Sequence, residues 1–120
     1  MSAEILQRKP LNVAVVGYGY WGPNLVRNTI ERPELELRTL CERDPQRAAA
    51  FATRVPGVDV TESLDAVLGD PDIDAVIVAT PPRTHHPIVR AALEAGKHVL
   101  VEKPLATTSA DAQDLVDLAE

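Results

Sequence analysis

Apolar positions along the chain fall into short blocks separated by stretches with helical spacing. Leu11–Val16 is a Val-rich run ended by Gly17, the pattern of a strand buried on both faces. Trp21 to about Arg32 predicts a helix, in which Pro23 is tolerated because a first-turn residue has no intrahelical N–H bond to lose. Leu35–Cys41 predicts a second strand, entered after Pro33. Pro45–Val55 is Ala-rich and predicts a helix, with Asp44 as N-cap and Pro45 at the first helical position. A short strand is expected at Val58–Val60, then a helix over Glu62–Leu68 started by Thr61 and stopped at Gly69 and Pro71. Ile73–Thr80 is the clearest buried strand. Thr84 is the expected cap of a helix running through Ala95 and stopped by Gly96, and Lys97–Val101 predicts a fifth strand. Ser109–Glu120 closes the pattern as an amphipathic helix with Ala112, Leu115, Val116 and Ala119 on one face.

Strand and helix therefore alternate, with connections that suit crossovers better than hairpins. The expected class is α/β, a doubly wound parallel sheet of about five strands with helices on both faces, the Rossmann arrangement. Residues 1–9 are expected to be a loose lead-in and residues 10–120 one domain. A six-stranded sheet of the dinucleotide-binding order needs one more strand beside the fifth, so the pattern predicts a fragment with an exposed edge at His98–Val101.

Bulk properties narrow the partners. At 120 residues the chain is one domain at most, and its 45% hydrophobic and 25% charged content are those of a globular protein. A net charge of −6 argues against nucleic acid as the main partner, since phosphate contacts need clustered Lys and Arg. The single cysteine, Cys41, excludes an intrachain disulfide and fits a reducing compartment. With neither a signal-peptide pattern nor an apolar run of spanning length, the expectation is a cytoplasmic protein with no membrane partner.

Four stretches carry chemistry. Gly17, Gly19 and Gly22 follow a predicted strand and open a predicted helix in G-x-G-x-x-G spacing. Gly17 permits the tight turn, Gly19 lets a pyrophosphate approach the backbone, and Gly22 lets the helix pack closely. N–H groups around Tyr20, Trp21 and Gly22 would face the phosphates at the positive end of the helix dipole. Trp21 either packs on the protein or reports a ligand. Glu42, 20 residues beyond Gly22, can accept from both hydroxyls of an adenosine ribose and would repel a 2′-phosphate. This favours NAD and disfavours NADP. Arg43 either stacks on the adenine or relaxes that preference by pairing with a 2′-phosphate. The loop ATPPRTHHP places Thr80, Pro81, Pro82 and His85 at the carboxyl edge of the sheet. His85 is read as a contact near the cofactor, with a structural role the alternative. His85 and His86 point about 100° apart at a helix start and have no further ligand at metal spacing, so no metal site is expected. Finally, HVLVEKPLA sets Glu102 and Lys103 after the fifth strand. A lysine there is expected to be partly desolvated, able to orient a substrate hydroxyl or share its proton. The bland alternative is an exposed turn lysine.

In this order the stretches VAVVGYGYWGPN, CERDP, ATPPRTHHPIVRAALEAGKHVLVEKPLA and the closing helix resemble the N-terminal half of the Gfo/Idh/MocA oxidoreductases. GKHVLVEKP is the most specific part. The resemblance implies an NAD(P)-binding Rossmann domain joined to a second domain that binds a sugar, sugar derivative or cyclitol. It implies that Lys103 is catalytic and lies near the reacting carbon, with Thr80, Pro81, His85 and Glu102 around the nicotinamide. A further acid–base pair would come from the second domain, which the 120 residues do not contain, so the chain alone is expected to bind NAD weakly without turnover. The alternative is a non-catalytic nucleotide-sensing or protein-interaction module on the same fold. A homo-oligomer paired through the fifth strand is a third expectation.

Overall fold

The computed structural model describes residues 9–120, so the expected lead-in of residues 1–9 lies, apart from Lys9, outside the described residues. Five strands, β1 (Leu11–Val16), β2 (Leu35–Cys41), β3 (Asp59–Thr61), β4 (Ala75–Val78) and β5 (His98–Val101), form one sheet in the order β3-β2-β1-β4-β5. Every pairing is parallel. The helices are α1 (Gly22–Glu31), α2 (Pro45–Arg54), α3 (Leu64–Leu68), α4 (His85–Glu94) and α5 (Ser109–Ala119).

The alternation of side chains along β1 divides the core. Val13 and Val15 join Val26 of α1, Phe51 of α2, Leu37, Leu40 and Ile77 on one face. Ala14 and Val16 join Val67 of α3, Val89 and Ala92 of α4, Leu115 of α5, Val76 and Val78 on the other. A strand apolar on both faces has no solvent side, which is why β1 and β4 read as continuous apolar runs. Full burial of each such valine contributes about 1.5–3 kcal/mol relative to exposure.

Most boundaries move by a residue or two, for identifiable reasons. The strand expected at Ile73–Thr80 shortens to β4 because the Ile73 N–H donates into a turn, to the Asp70 carbonyl. The helix expected over Glu62–Leu68 begins only at Leu64, where the Ser63 hydroxyl, and not Thr61, accepts the capping N–H of Ala66. Thr84 does not cap α4. It ends a 3₁₀ turn over Pro82–Thr84 that runs directly into the helix. Asp44 caps α2 as expected, accepting from the Gln46 N–H at 2.9 Å. In α5 the expected apolar face is only half right: Leu115 is buried, but Val116 is 43% exposed.

β5 is an edge among the described residues, hydrogen-bonded to β4 alone, and its Leu100 is 59% exposed. Its start is tied down by Lys97, whose Nζ donates to the carbonyls of Asp70 and Ile73 at 2.7 Å each.

α4 and α5 are joined at Asp114, whose carboxylate meets His86 Nε2 at 2.8 Å and accepts from Arg90 Nη1 at 2.6 Å. These two contacts, His86 first, hold the Asp114 carboxyl below its ordinary value of 3.8. The folded chain then binds this proton less readily than the unfolded chain. The stabilisation is complete above about pH 3.8 and is lost as pH falls through the lower folded value. Urea midpoints measured from pH 7 down to pH 2.5 should therefore converge for the wild type and Asp114→Asn at the acid end, with the wild type more stable at neutral pH. The gap should be small, because exposed ion pairs contribute little.

Candidate functional site

At the carboxyl ends of β1 and β4, where the strand order reverses, a cavity of about 570 Å³ opens. One wall is the turn after β1, with Gly17, Gly19, Tyr20 and Trp21. A second is the end of β2, with Cys41, Glu42 and Arg43. The third is the loop after β4, with Thr80, Pro81 and Pro82. Nine of the expected site residues therefore share one cavity, among them the two aromatic residues, with Trp21 half-exposed and Tyr20 87% exposed.

The three glycines do different work. Gly17 has φ +101°, and a Cβ there would lie 2.9 Å from the Ala79 carbonyl oxygen. A Cβ at Gly22 would lie 2.9 Å from the Gly17 carbonyl oxygen. Both are required by the protein's own packing. Gly19 is not: its φ is not left-handed, and a Cβ would meet nothing closer than the Arg47 guanidinium at 3.7 Å. The space in front of it is open cavity. A glycine there fits a ligand that approaches the backbone, as a diphosphate does.

The amide donors agree. The Gly17 N–H donates to the Cys41 carbonyl at 2.8 Å and the Tyr18 N–H to Glu42 Oε1 at 2.8 Å. From Gly19 to Gly22 the N–H groups have no acceptor among the described residues. Side chains cap α2, α3 and α5, whereas α1 has neither a side-chain cap nor an acidic residue in its first turn. Its positive end carries no compensating side chain and borders the cavity.

Glu42 has a role that spacing alone could not reveal. One carboxylate oxygen accepts from Tyr18 N–H and the other from Asp44 N–H at 3.0 Å, so the side chain ties the glycine turn to the start of α2. Each oxygen keeps a lone pair for a further donor. Arg47 was missed. It lies on the first turn of α2, lines the cavity and reaches back over Gly19, within 3.6 Å of Asp44. Its position five residues after Glu42, on a helix that starts at the same sheet edge, was the available signal. Burial, and then the Glu42 charge, push the Cys41 thiol above its ordinary value, as expected of a packed thiol.

Four expected site residues stand outside the cavity lining. Gly22 is buried in the first turn of α1. His85 is 1% exposed and lies behind the wall, not on it. Glu102 is half-buried and Lys103 exposed. The expected desolvation of Lys103 is thus corrected: it is exposed, just past a strand whose outer edge is unpaired among the described residues. Register still keeps both near the cavity. The Glu102 N–H donates to the Val78 carbonyl at 3.1 Å, which sets the EKP turn beside Ala79 and Thr80. Among the described residues no three His, Cys, Asp or Glu side chains cluster as metal ligands, and no helix is long and apolar enough to cross a membrane.

Residues 11–120 match the model of the Gfo/Idh/MocA oxidoreductase family, described as an NAD-binding Rossmann fold. The chain belongs to that family. It is 39% identical over 113 residues to the dTDP-3,4-didehydro-2,6-dideoxy-α-D-glucose 3-reductase of Saccharopolyspora spinosa, a match covering 93% of this chain and 34% of that protein. Among solved structures it is similar to GenD2 from gentamicin A biosynthesis in complex with NAD (39% identity, TM-score 0.87, 93% of this chain and 32% of that one). It is also similar to the biliverdin reductase of Synechocystis sp. PCC 6803 in complex with biliverdin and NADP⁺ (36% identity, TM-score 0.86, 92% and 35%). The chain spans about a third of the length of the curated relatives it matches. The family fold takes the nicotinamide dinucleotide, and neighbours hold it in both the NAD and the NADP form.

The contrast among the glycines is directly measurable. Gly19→Ala should leave the thermal midpoint within about 2 °C of wild type, since it meets no backbone, yet weaken NADH binding at least roughly tenfold. Gly17→Ala should lower the midpoint by several degrees, about 1–3 kcal/mol, through its φ and its clash with Ala79. Calorimetry on both variants checks the pair. Equal effects of the two substitutions on stability would remove the ligand role of Gly19.

Proposed function

We propose that residues 10–120 form the dinucleotide-binding half of an oxidoreductase that moves a hydride between a hydroxyl-bearing carbon of a sugar, sugar derivative or cyclitol and NAD. The observation that carries this reading is Gly19, a glycine that the fold does not need and that faces an open cavity beneath unpaired amides. In this reading the diphosphate lies across Gly19, Tyr20, Trp21 and Gly22, where free N–H groups and the α1 dipole meet it, with Arg47 as a nearby counter-charge. Glu42 accepts from the ribose hydroxyls with the lone pairs left after its two backbone bonds, and Arg43 borders the adenine. Thr80, Pro81, Pro82 and Glu102 border the nicotinamide end. Bound there, the nicotinamide supplies the hydride chemistry.

Lys103 is the residue we assign to the reacting carbon. Its ammonium orients the substrate hydroxyl and shares its proton, and its exposure leaves it free to face a substrate held by residues outside this domain. The relatives support a division of labour. One fold of this kind serves a dTDP-sugar reductase and a biliverdin reductase, so residues 11–120 specify the dinucleotide and leave substrate choice to the rest of those proteins. On this basis the chain alone binds NAD(H) and turns substrate over negligibly.

Trp21 lines the cavity and is 50% exposed, so its fluorescence reports occupancy. Titration with NADH should give a saturable change, and a flat titration with flat calorimetry overturns the reading. Glu42→Gln should weaken NADH by about tenfold, the loss of one charge-assisted contact, and NADPH by less. An equal loss for both cofactors would take Glu42 away from the ribose.

A further inference from the structure

His85 is a fully buried histidine, 1% exposed, with no place on the cavity wall. Its two ring nitrogens each meet a backbone carbonyl: Nε2 lies 2.8 Å from the oxygen of Thr80 and Nδ1 lies 2.6 Å from the oxygen of Pro104. These carbonyls belong to different turns. Thr80 leads the cavity wall after β4, and Pro104 follows Lys103 after β5. The ladder between the two strands ends where the Glu102 N–H donates to Val78. Beyond that point, among the described residues, the His85 contacts are the hydrogen bonds that join the two turns.

We propose that His85 is a positioning residue, a clamp that holds the Thr80 wall of the cofactor cavity and the Lys103–Pro104 turn in one arrangement. This rests on the reading of Lys103 as the residue that acts on substrate. The chemistry of the contacts makes the clamp demanding. A carbonyl oxygen only accepts, so both contacts are made together only by a ring that carries a proton on each nitrogen. A neutral ring donates to one carbonyl and turns a lone pair toward the other. The side chain enters from the first residue of α4, and that helix is itself anchored in the core by Val89 and Ala92. The clamp therefore refers both turns to a rigid element, which suits a site whose lysine is carried by an otherwise exposed edge. His85 touches neither cavity nor substrate, so it acts through Thr80 and Lys103.

The ring itself is the first test. A long-range ¹H–¹⁵N correlation spectrum of the chain should show a His85 ring N–H proton protected from solvent exchange, and a freely exchanging ring proton overturns the proposal. The second test uses His85→Phe, which keeps the ring and removes both donors. Its circular dichroism should stay that of the wild type. Backbone amide resonances of residues 80–84 and 102–105 should both shift and broaden, and the NADH dissociation constant should rise about tenfold. Changes confined to residues 80–84, or unchanged NADH affinity, overturn the clamp. The ring spectrum of the wild type decides the matter even where the variant does not fold. A wild-type chain that shows the protected ring proton but binds no NADH leaves the clamp standing and removes the cofactor reading instead.

Discussion

The turn at Gly17 is the constraint on which the rest of the site depends. Three strand ends converge on it. Its N–H donates to Cys41 at the end of β2, the Ala79 N–H donates to Val16 just before it, and its own Cα faces the Ala79 carbonyl with no room for a side chain. Only a glycine with positive φ turns the chain in that space. The turn then leads into α1, and the N–H groups of Gly19 to Gly22 beyond it have no acceptor among the described residues. Glu42 holds the same turn from the other side, through the Tyr18 N–H.

Once the turn is set, the parallel sheet delivers the remaining chemistry without further devices. In a parallel arrangement all carboxyl ends lie on one edge, so residues far apart in sequence, Glu42, Thr80 and Glu102, arrive at one rim. The rim is electrostatically mixed. Arg43, Arg47 and Arg83 line the cavity with Glu42 and Glu62, so its lining is less acidic than a chain whose net charge is −6. Overall charge therefore does not describe the surface a ligand meets there.

The family comparisons give this arrangement its meaning. Matches that cover nine-tenths of the chain but a third of each relative isolate the part that handles the dinucleotide. Within it, Glu42 stands both in the scaffold and on the cavity wall. It braces the glycine turn and lines the cavity, so a substitution there alters the scaffold as well as the wall. Gly19 offers the cleaner probe, because its cost to the fold is small.

Much of the architecture was legible in the order of residues. Five apolar runs alternating with helical spacing imply a parallel sheet, because crossovers are the economical way to join strands buried on both faces. The G-x-G-x-x-G spacing and the acid after β2 named a dinucleotide, since turn geometry and helix start are local properties of the chain. What the sequence could not supply is where side chains end up once distant turns meet. Glu42 bonding to Tyr18, Arg47 reaching over Gly19, and His85 withdrawn behind the wall between Thr80 and Pro104 all join residues from separate turns. The exposure of Lys103 and of Val116 was likewise decided by which strand forms the edge, a question of neighbours and not of pattern. Local spacing determines which element forms and which residues stand at its end; only the packed sheet decides which of those residues face the cavity and which hold its walls.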